Sequence, residues 1–216
     1  MKVTTDACVF GAWVDVPRQG AVLDAGTGTG LLALMVAQRC PLPVDAVELH
    51  EPCAAEAAEN FRNSPWGERL RLHCADIRTF TSDCTYSLMI SNPPFFVHRL
   101  AAPDPARRQA RHRVSLLPQE LFAAANRLLQ PQSGKLAVLW PADERQQLMN
   151  LAARNQFFAE HLLFIASIHG RPPHRIACMF CRKPQEIQTQ TIAIHDRPGR
   201  FSSEMHQLLA AYYVKW

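Results

Sequence analysis

The sequence predicts an α/β domain doubly wound around a mostly parallel sheet, and three observations lead there. Short apolar runs alternate with longer amphipathic stretches along the chain. The first run, Ala21-Val22-Leu23-Asp24-Ala25, empties into a glycine turn, Gly26-Thr27-Gly28-Thr29-Gly30. The next two runs end in acids, Glu48 and Asp76, and the carboxyl ends of strands are where open α/β sheets bind ligands.

Residues 21–25 make the first strand, and the glycines allow the tight turn that feeds a helix over 31–39. Pro41 and Pro43 stop that helix. Residues 44–49 are the second strand, 51–63 the second helix and 70–75 the third strand, which leads to Asp76. A fourth strand at 86–91 is broken by Pro93-Pro94, which cannot donate to a ladder. After a long polar loop, Pro118 opens a helix to 129, since a first turn tolerates proline. Residues 134–140 form the fifth strand and 143–155 a helix. The runs 162–168 and 176–181 complete seven strands, 192–195 adds an edge strand, and 202–214 is the closing helix. Consecutive strands near the end predict antiparallel pairing at one edge of the sheet.

With 216 residues the chain is long enough for one domain, 1–216, with a full-sized core. Nine Gly and 16 Pro argue against a fibre or a low-complexity chain, and no internal repeat is visible. No apolar stretch approaches the roughly 20 residues a bilayer span needs. The opening Met1-Lys2-Val3-Thr4-Thr5-Asp6 turns polar at once, which predicts no signal peptide. Seven scattered Cys suit a reducing compartment better than a disulfide framework. A soluble cytoplasmic protein without membrane attachment is the expectation. Nine His lack paired metal-ligand spacing, and Cys178-Met179-Phe180-Cys181 lies in a strand, where side chains three apart face opposite ways. No metal site is expected. The oligomeric state stays open, with a monomer favoured.

Charge divides the chain in two. Residues 1–98 hold 7 Lys+Arg against 11 Asp+Glu, whereas residues 99–216 hold 16 against 8. The sharpest run, in the basic loop 97–114, carries Arg99, Arg107, Arg108, Arg111 and Arg113 with Asp104 as its one acid. Clustered arginines attract phosphate both by charge and by bidentate hydrogen bonding, so charge alone fits nucleic-acid contact and a solvated loop whose arginines aid solubility equally well.

The glycine spacing is G-x-G-x-G, not the G-x-G-x-x-G that cradles a pyrophosphate. Preceded by Asp24, it resembles motif I of class I S-adenosylmethionine-dependent methyltransferases. Glu48 follows Gly28 by 20 residues, a spacing that lets its carboxylate accept from both hydroxyls of a ribose. Each of Asp24, Glu48 and Asp76 taken alone reads better as a helix cap or a surface carboxylate. Three acids at three strand ends make a cofactor site the stronger reading.

The fourth strand runs into Asn92-Pro93-Pro94-Phe95. Two prolines fix φ and leave carbonyls pointing outward. The Asn92 side-chain oxygen and the Pro93 carbonyl can both accept from an NH₂ group, while Phe95 offers a face for a planar base. The tetrapeptide resembles the Asn-Pro-Pro-aromatic motif of amino-group methyltransferases that act on adenine, guanine or glutamine. An exocyclic amine is a poor nucleophile because its lone pair is delocalised into the ring. Acceptors on its two hydrogens favour the pyramidal form, and catalysis becomes largely positioning and electrostatics.

Taken over nearly its full length, the chain resembles the bacterial tRNA (adenine-N6)-methyltransferases that modify the purine 3′ of the anticodon in a valine tRNA. The likeness runs through Lys2 to Asp6, Phe10-Gly11-Ala12-Trp13, the glycine turn, Ser64-Pro65-Trp66, the tetrapeptide and Pro173-His174-Arg175. It implies a Rossmann-like class I methyltransferase with a mostly parallel seven-stranded sheet and helices on both faces. It further implies S-adenosylmethionine as cofactor and tRNA as substrate. By that likeness Lys2, Thr5 and Asp6 lie beside the methionine end of the cofactor, with Asp24, Gly26, Thr27, Gly28 and Gly30 in the turn. Glu48 would hold the ribose, Asp76 and Ile77 the cofactor's adenine, and Asn92, Pro93, Pro94 and Phe95 the target base. Arg171 and Arg175 would join the arginine loop in gripping RNA. Members of the family usually carry one more short basic segment before the position where this sequence starts, which would add to an RNA-binding surface. Phe95 stands where the family more often has Tyr, so ribosomal-RNA guanine-N2 methylation and protein-glutamine methylation remain alternatives, as does a non-catalytic RNA-binding role.

Overall fold

A computed structural model describes residues 3–93 and 116–213 of the chain. Its strands are β1 (Val22–Ala25), β2 (Val44–Glu48), β3 (Leu70–Cys74), β4 (Leu88–Ser91), β5 (Lys135–Pro141), β6 (Phe158–Ile168), β7 (Arg175–Cys181), β8 (Gln188–Arg197) and β9 (Arg200–Phe201). The helices are α1 (Thr5–Trp13), α2 (Leu31–Arg39), α3 (Glu51–Arg62), α4 (Pro118–Leu128), α5 (Arg145–Arg154) and α6 (Ser203–Leu209). All nine strands share one sheet in the order β3-β2-β1-β4-β5-β7-β6-β8-β9. Pairing is parallel from β3 through β5, antiparallel on both sides of β7, parallel again between β6 and β8, and antiparallel at β8–β9.

The sheet is therefore mostly parallel as expected, but among the described residues it has nine strands rather than seven with a short edge addition. The segment 192–195 is only the apolar end of β8, which starts at Gln188 and pairs with β6 from His161 onward. Gln188-Thr189-Gln190-Thr191 are all exposed, so no hydrophobic alternation marks them. Backbone pairing to β6 carries them instead. The other difference is α1, which periodicity did not predict. Residues Ala7 to Ala12 are all buried, so the helix has no polar face to alternate with. Its start is fixed locally, by the Thr4 hydroxyl accepting from the Ala7 amide at 3.3 Å.

Two cores lie on the two faces of the sheet, and β7 shows why. Ile176, Cys178 and Phe180 face one core, while Ala177 and Met179 face the other. The first core brings together α1, α2, α3 and α6, with Phe10, Val36, Phe61 and Leu209 buried. The second lies beneath α4 and α5, where Phe122 meets Phe157 and Phe180 edge-on at 5.7 and 5.9 Å. Each such ring withdrawn from water contributes about 1.5–3 kcal/mol. What this rigid frame positions is the seam between β1 and β4. The chain winds to β2 on one side of β1 and to β4 on the other, and open α/β sheets form their binding crevice at such a switch point.

Candidate active site

The crevice is present. A cavity of about 180 Å³ opens at the carboxyl ends of β1, β2, β3 and β4, and Gly26, Gly28, Glu48, Asp76, Ile77, Asn92 and Pro93 all line it. These residues come from four strand ends, so sequence positions up to 67 apart converge only because those strands are neighbours. Among the predicted residues, Lys2, Pro94, Phe95, Arg99, Arg107, Arg108, Arg111 and Arg113 lie outside the described part of the chain.

The glycine turn is held from beneath. Gly26 and Thr27 donate their amides to the Val47 carbonyl at 2.9 and 3.1 Å, which ties the turn to β2. Gly26 has φ of +73°, and a Cβ placed there would meet nothing within 4 Å, so its cavity side is open for a ligand to approach the backbone. Gly30 is different. Its φ is +91° and an added Cβ would stand 2.5 Å from the Phe61 ring, so this glycine serves helix packing.

Asp24 does not line the cavity. It is wholly buried, accepts from the Thr27 hydroxyl at 2.5 Å and the Ala33 amide at 3.0 Å with one oxygen, and leaves the other without a partner. Burial pushes its carboxyl up to about 7, against the pull of those hydrogen bonds. Asp24 and Thr27 thus clamp the turn to the first turn of α2 from behind.

Glu48 is oriented by two amides. Gly28 donates to one carboxylate oxygen and His50 to the other, each at 2.8 Å. Each oxygen keeps a further lone pair, so the group faces the cavity as a paired acceptor suited to two neighbouring hydroxyls. Asp76 is held more firmly. The Arg78 amide and guanidinium donate to it at 2.5–2.9 Å, and Arg78 also reaches the Glu120 carboxylate in α4 at 3.5 Å. The hydrogen bonds from Arg78 hold the Asp76 carboxyl below its ordinary range, so it stays an ionised acceptor. Ile77, buried beside it, supplies an apolar wall. Arg78 is a cavity residue that the sequence reading did not single out; the only signal was a cation two positions after Asp76.

Ser91 closes β4 and donates its hydroxyl to the Ala25 carbonyl at 2.7 Å, which sets the direction in which Asn92 leaves the sheet. Asn92 is half-buried and Pro93 buried, both on the cavity. An acceptor at Asn92 therefore shares one space with the acceptors at Glu48 and Asp76.

Thr5 and Asp6 occupy the first turn of α1 and are not among the cavity-lining residues. Asp6 is instead bound to β7, with His174 Nε2 3.1 Å from one carboxylate oxygen and Arg175 Nε 3.8 Å from the other. Arg175 is thus engaged with protein, whereas Arg171 is exposed on the turn between β6 and β7. Among the described residues no group of three His, Cys, Asp or Glu could hold a metal ion, and no helix is long and apolar enough to cross a membrane.

Comparison with known proteins places this geometry. Residues 9–159 match the family model described as the methyltransferase small domain. A tRNA1(Val) (adenine(37)-N6)-methyltransferase from Tolumonas auensis is 40% identical over 217 residues, covering 100% of this chain and 91% of that protein. The enzyme of the same name from Bacteroides fragilis is 35% identical over 218 residues, covering 100% and 92%. Among solved structures, a predicted O-methyltransferase from Agrobacterium tumefaciens superposes with a TM-score of 0.73 at 15% identity, covering 94% of this chain and 95% of that one. A glycopeptide N-methyltransferase in complex with S-adenosyl-L-methionine gives a TM-score of 0.60 at 15% identity, covering 83% and 93%. The fold is that of the class I methyltransferases, with a mixed, mostly parallel sheet and flanking helices.

Proposed function

The chain belongs to the tRNA1(Val) (adenine(37)-N6)-methyltransferase family, and we propose that it methylates the exocyclic N6 of adenine 37 in that tRNA. S-adenosylmethionine would supply an electrophilic methyl group on a sulfonium. Everything else falls to the chain's own side chains. The observation that carries this reading is the single cavity shared by Asn92, Glu48 and Asp76.

The donor set fits such a cofactor. Glu48, with a lone pair left on each oxygen, takes the ribose hydroxyls. Ionised Asp76 beside apolar Ile77 takes the adenine amine and flanks its ring. Gly26, open on its cavity side, lets the methionine portion lie against bare backbone, with Gly28 beside it on the cavity wall. Lys2, Thr5 and Asp6 are assigned to the methionine end, with His174 and Arg175 holding Asp6 in place. Asn92 accepts one hydrogen of the target amine and the Pro93 carbonyl the other, so the nitrogen lone pair turns toward the methyl carbon. Pro94 stiffens the motif, and Phe95 stacks on the target base, worth about 1–3 kcal/mol. Arg99, Arg107, Arg108, Arg111, Arg113 and Arg171 bind the RNA backbone. One sheet running through all described strands supports a single catalytic domain.

Methyl transfer from labelled cofactor onto RNA taken from a strain lacking the enzyme tests this. Nucleoside mass spectrometry should return N6-methyladenosine, mapped to a single position in valine tRNA. N2-methylguanosine, or label on a protein glutamine with RNA untouched, would overturn it.

A further inference from the structure

Two hairpins stand at the same edge of the sheet as the cavity. β7 runs antiparallel to β5 with Arg175 opposite Pro141, so it begins where β5 ends. β6 is antiparallel to β7 and β8 parallel to β6, so both terminate at that edge. Backbone joins the hairpin tips, with the His169 amide donating to the His195 carbonyl at 2.9 Å. The His195 ring stacks on Phe201 at 4.9 Å and 16°, which stiffens the second hairpin.

That second hairpin has an arrangement that costs stability. Arg197 and Arg200 are direct register partners across its Pro198-Gly199 tip, and both are exposed. Like charges placed directly opposite each other destabilise a strand pair. Neither guanidinium makes a hydrogen bond or ion pair with another described residue, and exposed Arg171 on the neighbouring tip adds a third cation. Of the nearby acids, Asp196 is exposed beside Arg197. Glu204 accepts from the Ser203 hydroxyl at 3.2 Å. An anion bridging the arginine pair would remove the repulsion.

We propose that Arg171, Arg197 and Arg200 form a clamp for the phosphodiester backbone of the RNA substrate, separate from the pocket for the target base. The proposal deepens the tRNA reading above and rests on it. The strand order puts four spacings between β4 and β8, about 20 Å at roughly 4.8 Å each. The clamp thus grips the stem flanking the target nucleotide and reads charge, not sequence.

The test compares wild type with Arg197→Gln/Arg200→Gln and with the triple variant that adds Arg171→Gln. Filter binding to unmodified valine tRNA over a salt series reads the clamp without turnover, and steady-state methylation separates KM from kcat. The double variant should raise KM for tRNA about tenfold with kcat within twofold and cofactor affinity unchanged. Its log Kd against log salt should flatten by about 2, and by about 3 in the triple variant. Arg197→Lys/Arg200→Lys should restore most of the loss. Unchanged tRNA affinity and salt slope would overturn the clamp, as would a loss confined to kcat. Binding to phosphatidylserine vesicles that needs these arginines, with tRNA affinity unaffected, would also overturn it. Should wild type bind tRNA with this salt dependence yet methylate none of it, the catalytic reading fails while the clamp stands.

Discussion

The left and right halves of the sheet face the same edge with opposite charge. β2 and β3 deliver Glu48 and Asp76 to their carboxyl ends or just past them, held by backbone amides and an arginine, while Asp24 of β1 lies buried behind the glycine turn. The turn after β6 and the strands β7, β8 and β9 bring Arg171, Arg175, Arg197 and Arg200 to that edge, and three of these four are exposed. The acidic side holds its acceptors in defined directions, as recognition of hydroxyls and an amine by hydrogen bonds requires. The basic side asks less of exact placement because phosphate is gripped by charge, which tolerates error in position. One fold thus assigns geometry to one half and electrostatics to the other.

That division can be broken at several points. The largest effect is expected at the seam between the halves: Asn92→Ala should lower kcat by about 10³-fold, in the range of losing a preorganised hydrogen-bond partner. Isothermal titration should find cofactor affinity within a few-fold of wild type; a collapse there would move Asn92 from transfer to binding. Next is the acidic half. Glu48→Ala should weaken cofactor binding by about 10- to 100-fold while leaving tRNA affinity unchanged, and a matching loss of tRNA affinity would mean the halves are coupled. Arg78→Ala should follow with about a tenfold rise in KM for the cofactor, since Asp76 loses its partner.

A smaller effect separates support from contact. The Asp24 carboxyl sits at about 7 when folded and near the ordinary carboxylate value when unfolded, so the folded state holds its proton more tightly. Stability is therefore full below pH 4 as far as this group is concerned, and is lost as pH rises through 7. Thermal melts of wild type should fall between pH 5 and pH 8 relative to Asp24→Asn, which keeps both accepted hydrogen bonds and has no charge to bury. Equal slopes for the two proteins would show that Asp24 is ionised throughout.

Much of the acidic half was legible beforehand. The strand ends, the glycine turn and Asn92 are written in local patterns, and the turn-and-helix boundary at residues 31–39 follows from glycines before it and prolines after it. What was hidden depends on partners distant in sequence. α1 is buried on all sides, so its sequence has no polar face to betray it. β8 runs ten residues against the four of 192–195 because its first residues rely on β6 for hydrogen bonds and on no core for burial. Asp24 carries a motif that resembles a ligand-binding acid, yet only the structure reveals that it points beneath the turn. The pairing of Asp6 with His174 joins positions 168 residues apart, beyond the reach of any local rule.

The first helix has a consequence for how the chain comes off the ribosome. α1 packs into a core completed by Met205 and Leu209 of α6, and Gln38 and Met35 of α2 are bonded to Ala211 and Tyr212. Among the described helices, the first in chain order therefore waits for the last before its apolar surface is covered. β6 likewise waits for β7, which lies between it and β5. A nascent chain stalled before residue 175 would present a half-built sheet edge and a bare helix together, the combination that holdase chaperones capture.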